Sequence, residues 1–221
     1  LITPAVVGLN RLCRLGLEHN KLDHDGFTAV AEILRHRPTM CELSLPGNEI
    51  QSMESAEVLS AALEGHPSLQ KISFVECALG KNPKILESIL KGCANIPVHL
   101  DLRRNWIDTR GCPSVVYFIS ENNVKILDLE GNNLCDDDVP PLVAALKRNT
   151  NMRIFDITKN NLTDEGRVEM MKAVFDTTSL NAVAESNHTC RLHVSSETQI
   201  CMGPLVLLGL GFSDKIGRAV Q

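Results

Sequence analysis

The sequence predicts an α/β solenoid, a curved horseshoe with a parallel sheet on its concave face and helices on its convex face. Three observations predict it. Apolar residues recur with a period close to 28 along 221 residues. Within each copy, apolar residues two apart mark a short strand with one buried face. A helical apolar pattern follows each strand, so each copy reads as one strand-turn-helix unit that buries its core against its neighbours.

Residues 12–22 read LCRLGLEHNKL, and residues 40–50 repeat the pattern as MCELSLPGNEI. A third copy carries Leu69, Ile72, Phe74, Cys77 and Leu79. In the fourth, Pro97 takes the first slot ahead of Leu100, Leu102, Asn105 and Ile107. Val124, Leu127, Leu129, Asn132 and Leu134 make the fifth, and Met152, Phe155, Ile157, Asn160 and Leu162 the sixth. A decayed seventh copy is read at Leu180, Val183, Glu185, His188 and Cys190. The ninth slots are therefore Asn20, Asn48, Cys77, Asn105, Asn132, Asn160 and His188, at intervals of 28, 29, 28, 27, 28 and 28.

The asparagines have a physical role. A side-chain amide can donate and accept at once, so stacked copies form a ladder that satisfies the turn backbone. Cys77 donates only weakly and His188 fits poorly, so those turns are expected to be less well bonded. Helices follow. Asp25 and Gly26 lead into FTAVAEILRH, Asp136 to Asp138 precede VPPLVAALKRN, and Asp164 and Glu165 precede GRVEMMKAVF. Acids at the start and bases at the end complement the helix dipole. Pro140 and Pro141 fall in a first turn, where missing N–H groups cost little. Val115 with Ile119, Leu142 with Leu146, and Met170 with Val174 are the expected buried helix positions.

This pattern resembles the leucine-rich repeat, L-x-x-L-x-L-x-x-N/C-x-L, from Leu12 to about Cys190. The repeat length and helical second half resemble the ribonuclease-inhibitor-like subfamily. Cys77 is allowed by that pattern; Pro97, Glu185 and His188 depart from it. Solenoid ends need caps. The organisation read from this is a solenoid over 1–192, with Thr178 to Leu192 as a degenerate terminal copy, and a cap or tail over 193–221. Ile2 to Leu9 read as the helix of an earlier copy. With Leu1 in place of Met, the expectation is a fragment or processed form.

Composition bounds the function. There are 22 Lys+Arg against 27 Asp+Glu, for a net charge of -5. Aromatics are 4% of the chain, with one Trp and one Tyr. Mild acidity argues against phosphate-backbone binding, and scarce rings argue against base-stacking platforms, so no nucleic-acid partner is expected. The longest apolar stretch, Pro204 to Phe212, is too short to span a bilayer. It reads as a buried terminal element, with a docking tail as the alternative. Eight cysteines scatter over different repeat slots with no CxxC pairing, as expected of reduced thiols in a cytoplasmic or nuclear protein. Cys13 and Cys41 share the second slot of adjacent copies, so a disulfide between them is the alternative there. His188, Cys190, His193 and Cys201 hold metal-ligand atom types, but their spacing fits no standard zinc site and a cap turn is the simpler reading. The sequons at Asn161 and Asn187 fit a turn and the cap, and chance occurrence is favoured for both. No catalytic signature appears, and no cofactor is implied.

The register fixes which side chains face a partner. Third-slot residues are Arg14, Glu42, Lys71, His99, Ile126, Ile154 and Ala182. Fifth-slot residues are Gly16, Ser44, Ser73, Asp101, Asp128, Asp156 and Ala184. Asp101, Asp128 and Asp156 are thus expected on neighbouring strands about 5 Å apart. A basic partner or a cation would relieve their repulsion. The alternative is local, because the resemblance implies that Asp is common in this slot and bonds nearby hydroxyls and amides. Trp106 occupies the tenth slot, directed away from the core, after Arg103 and Arg104. Trp and Arg dominate binding hot spots; the alternative is a Trp laid on an adjacent loop with Arg stacked on it. The candidate partner-binding set is Trp106, Arg103, Arg104, Asp101, Asp128 and Asp156.

The resulting functional expectation is a non-enzymatic scaffold binding a protein partner of basic character on its concave face, without membrane attachment. Two alternatives stand beside it. One is a regulator of a small GTPase, since Ran GTPase-activating proteins resemble this repeat type. Those carry a long acidic stretch after the repeats, and this chain ends differently. The other is a fragment of a larger repeat-bearing sensor. Oligomeric state is left open.

Overall fold

The computed structural model describes residues 12–195, apart from 95–98, 122–123, 177, 180, 182–183 and 185. The expected helix at Ile2–Leu9, the apolar stretch Pro204–Phe212, Pro97 and Cys201 lie outside the described residues.

Seven three-residue strands form one parallel sheet in chain order. They are β1 (Arg14–Gly16), β2 (Glu42–Ser44), β3 (Lys71–Ser73), β4 (His99–Asp101), β5 (Ile126–Asp128), β6 (Ile154–Asp156) and β7 (Arg191–His193). Among the described residues, six α-helices alternate with them. They are α1 (His24–Arg35), α2 (Met53–Leu63), α3 (Pro83–Gly92), α4 (Cys112–Glu121), α5 (Val139–Arg148) and α6 (Asp164–Lys172). Such a short strand cannot bury an independent core. Stacking makes one continuous core from its middle residues, Leu43, Ile72, Leu100, Leu127, Phe155 and Leu192, all at most 4% exposed.

Local sequence sets the helix starts. Asp23, Ser52 and Thr163 cap α1, α2 and α6 by accepting N–H bonds from Gly26, Ser55 and Gly166. Asn82 caps α3, with Pro83 at the first helical position. Inward positions match the expected ones: Val115, Ile119, Leu142, Leu146, Met170 and Val174 are buried.

The ladder forms as expected and acquires a direction. Asn132 accepts the N–H groups of Asn105 and Ile107, both at 3.0 Å, and donates to Leu102 and Leu129 carbonyls at 3.0 and 2.8 Å. Asn48 and Asn105 do the same for the preceding turns. Each side chain thus bonds the turn one copy earlier. Asn160 continues the pattern with the Leu134 N–H and the Leu129 carbonyl. At Cys77 the thiol donates to Leu45 O at 3.2 Å, but no amide oxygen is present. The Ile50 N–H therefore turns to the Cys77 carbonyl at 3.1 Å, and Asn48 N–H to Leu45 O at 3.3 Å. The turn is bonded, by different partners.

The residue before each ladder position is left-handed. His19, Gly47, Glu76, Arg104, Gly131 and Lys159 have φ of 54°, 68°, 56°, 54°, 69° and 55°. The turn needs this geometry to aim the ladder amide inward. Glycine meets it without strain at Gly47 and Gly131, and the other four pay about 1 kcal/mol each.

The seventh copy corrects the sequence register. The strand that pairs with β6 is Arg191–His193: Leu192 pairs with Phe155, and Arg191 and His193 take the slots expected for Ala182 and Ala184. The step from Phe155 to Leu192 is 37 residues, nine more than the repeat, and the alternating Cys190, Leu192 and Val194 supply the buried face. His188 consequently leaves the ladder slot. Asn187 instead bonds Leu146 and Asn149 carbonyls through its amide nitrogen, while its oxygen accepts Thr189 and Cys190 N–H groups. Buried and bonded in this way, the Asn187 sequon nitrogen is engaged in the fold.

Candidate functional site

On the solvent face of β4 to β6, Asp101 pairs with Asp128, and Asp128 with Asp156, as cross-strand neighbours. Three carboxylates on adjacent strands repel, and the structure meets that with cations of its own. Arg103 lies two residues past Asp101 and folds back onto it, Nε to Oδ1 at 2.9 Å and Nη2 to Oδ2 at 2.7 Å. The same guanidinium lies 3.4 Å from Asp128 and 3.9 Å from Glu130. Lys159 pairs with Glu130 at 2.5 Å. Asp156 accepts from Thr158 N–H and hydroxyl and faces His193 Nδ1 at 3.2 Å.

The three aspartates are not equivalent. Asp101 is buried at 4% exposure and held by the bidentate Arg103 fork, a geometry that pays for desolvation. Asp128 is the outlier. Burial pushes its carboxyl up to about 6, with Asp101 and Asp156 adding repulsion against the pull of Glu130 N–H and Arg103. Beside it, Ile126 and Ile154 pair in the third slot and remain partly exposed. The local relief anticipated as an alternative is therefore real, but incomplete at Asp128.

Arg104 and Trp106 belong to a different surface, the turns beyond the strands. Arg104 reaches back one copy to Glu76 at 2.8 Å. Trp106 is 50% exposed and left-handed, with φ of 59°. So bulky a residue adopts that conformation only when its surroundings impose it. Here Gly80 packs on its carbonyl so closely that a Cβ would collide, and Gly80 N–H bonds Asn105 O at 2.8 Å. The cation over the ring is Lys81, 4.5 Å from the centroid, and not an arginine as anticipated. Lys81 also pairs with Glu49 at 2.5 Å.

The structure thus splits the candidate set. Asp101, Arg103, Asp128 and Asp156 form one cluster, joined by Glu130, Lys159 and His193. Arg104 and Trp106 sit on the turn surface with Glu76 and Lys81. Glu130 was legible as the next outward slot after Asp128. Lys159 had no periodic signal, and His193 was hidden by the slipped register. Among the described residues, no three His, Cys, Asp or Glu side chains gather as a metal site. Of the suggested zinc ligands, Cys190 is buried with its thiol pushed up to about 12, and His193 faces Asp156. Nor is any described helix long and apolar enough to cross a membrane.

A leucine-rich repeat family model matches residues 148–171, which covers the end of α5, β6 and most of α6. With the seven-stranded sheet and alternating helices, this makes the fold a leucine-rich-repeat solenoid. Comparison with curated proteins gives no match. Domains of this repeat class commonly serve as protein interaction modules, built on rigid strands that hold outward side chains in rows.

Proposed function

We propose that this chain is a non-enzymatic interaction scaffold of the ribonuclease-inhibitor-like type, acting in the cytoplasm or nucleus. Its concave face over β4 to β6 binds a protein partner that presents a basic side chain. The observation that carries the reading is the imbalance on that face. Among the described residues, Asp101, Asp128, Glu130 and Asp156 meet only Arg103 and Lys159 as permanent cations. An incoming Lys or Arg beside Asp128 would offset the repulsion there, and Ile126 and Ile154 would cover its methylene stem. Trp106 provides a second, aromatic contact on the turn surface.

Affinity capture followed by binding measurements with the recovered partner tests this. Asp128→Asn with Asp156→Asn should weaken binding at least about tenfold and flatten its salt dependence. Trp106→Ala should weaken it separately. Unchanged affinity in the double Asp variant would remove the concave site, and unchanged affinity in Trp106→Ala would remove the turn contact.

A further inference from the structure

Seven cysteines are described, and all are free thiols. They fall into two chemical groups. Cys77, Cys93 and Cys190 are buried, and burial pushes each thiol up to about 12. Cys112 is buried and raised in the same way. Such thiols are poor nucleophiles. Cys13 is exposed, and Cys41 and Cys135 are partly exposed.

Of these three, only Cys13 and Cys41 are aligned with each other. They immediately precede the register partners Arg14 and Glu42 of β1 and β2. The Cys41 N–H bonds the Cys13 carbonyl at 2.7 Å, and the Cys41 thiol donates to the same oxygen at 3.0 Å. Parallel neighbours stand about 4.8 Å apart, inside the roughly 4.4–6.8 Å between Cα atoms that a disulfide bridges. The Cys41 thiol is therefore already turned toward the strand that carries Cys13. Cys135 has no cysteine in register with it, because Asp108 and Thr163 hold its place in the adjacent copies, and Cys112, close enough to interact with it electrostatically, is a buried thiol with its pKa raised. Beyond Cys41 the row continues with Gln70.

We propose that Cys13 and Cys41 form a reversible dithiol switch that a low-molecular-weight disulfide such as oxidised glutathione closes. Cys13, the more exposed, attacks one glutathione sulfur as its thiolate. A Cys13–glutathione mixed disulfide forms and one glutathione thiolate leaves. Cys41 then attacks the Cys13 sulfur, the cross-strand bond forms, and the second glutathione leaves. Two protein thiols are oxidised, one glutathione disulfide is reduced, and the two thiol protons end on two glutathione molecules. Closure ties the first two copies together at the start of the sheet.

The test is incubation of the full chain with a graded reduced-to-oxidised glutathione buffer, trapping of remaining thiols, and mass analysis. The wild type should lose two hydrogens with no glutathione adduct, and a Cys13–Cys41 linked peptide should appear and vanish again under reductant. Cys41→Ser should accumulate the mixed disulfide on Cys13, and Cys13→Ser should abolish the linked species. A Cys135→Ser variant should behave as wild type, and circular dichroism should show all three variants folded. Stable separate adducts on Cys13 and Cys41 in the wild type, or both thiols recovered free across the series, would overturn the proposal. So would closure that survives Cys13→Ser.

Discussion

The two halves of the sheet's solvent face solve opposite problems. Over β1 to β3 the charges occupy the third slot, where Arg14 and Lys71 flank Glu42 at 3.4 and 3.1 Å. The Arg14 and Lys71 side chains reach into solvent, at 76% and 45% exposure, over a half-buried Glu42, and the fifth slot beneath holds Gly16, Ser44 and Ser73. Over β4 to β6 the order reverses. Charges sit in the fifth slot, and the third holds His99, Ile126 and Ile154. A charge in water can be left alone; a charge half out of water must be paired or shift its pKa. That difference makes the second half a fixed electrostatic surface and the first a forgiving one. The ladder does not follow that division: Asn48 in the first half is bonded as fully as Asn132 in the second, and the interruption is local to Cys77.

Four measurements break or sharpen this contrast. The largest effect should come from the ladder. Asn132→Ala leaves the Asn105 and Ile107 N–H groups and the Leu102 carbonyl without their ladder partner, while Leu129 O keeps the Asn160 amide, and should cost about 3 kcal/mol in urea unfolding. Cys77→Ala in the other half should cost about 1 kcal/mol, because the backbone already bonds around it. Equal costs would mean that the asparagine amide adds nothing over the thiol that replaces it at Cys77.

Next is the cation. Arg103→Leu leaves Asp101 buried without its fork, and should cost about 2 kcal/mol, with Asp101→Asn in the same chain restoring most of it. If the single variant kept wild-type stability, the cluster would not be electrostatically coupled.

Third is pH. The folded Asp128 carboxyl, at about 6, lies above its unfolded value, so its contribution favours folding fully below the unfolded value. That contribution is lost as pH rises through about 4 to 6. Asp128→Asn should therefore raise the Tm at pH 7, and should remove this loss from a thermal-melt series between pH 4 and 7. An unchanged pH profile in Asp128→Asn would place the titrating group elsewhere.

The smallest effect belongs to the exposed row. Glu42→Gln should change stability by no more than about 0.5 kcal/mol, since surface ion pairs are worth little. A larger loss would show that the first half is not the permissive surface described.

Much of this was legible because the determinants are local and periodic. The ninth slots from Asn20 to Asn160, with Cys77 among them, mark every turn through β6, and alternation names Asp101, Asp128 and Asp156 as cross-strand neighbours. Where periodicity failed, so did the reading. In the last copy, the interval continued from β6 points to Val183 and His188, although Leu192 and Val194 carry the alternation of the strand that pairs with Phe155. Nine extra residues cost little in a surface loop, and nothing local reports them.

The sequence by itself determined the repeat, the order of strands and helices, and which face each strand residue takes, because those follow from spacing along one chain. Only the tertiary structure decided how charges on different copies share partners. Arg103 binds Asp101 within its own copy and reaches Asp128 on the next strand. Lys81, from the preceding copy, settles over Trp106. Such choices depend on which side chains meet across copies and on how much water remains between them, and no interval along the chain encodes either.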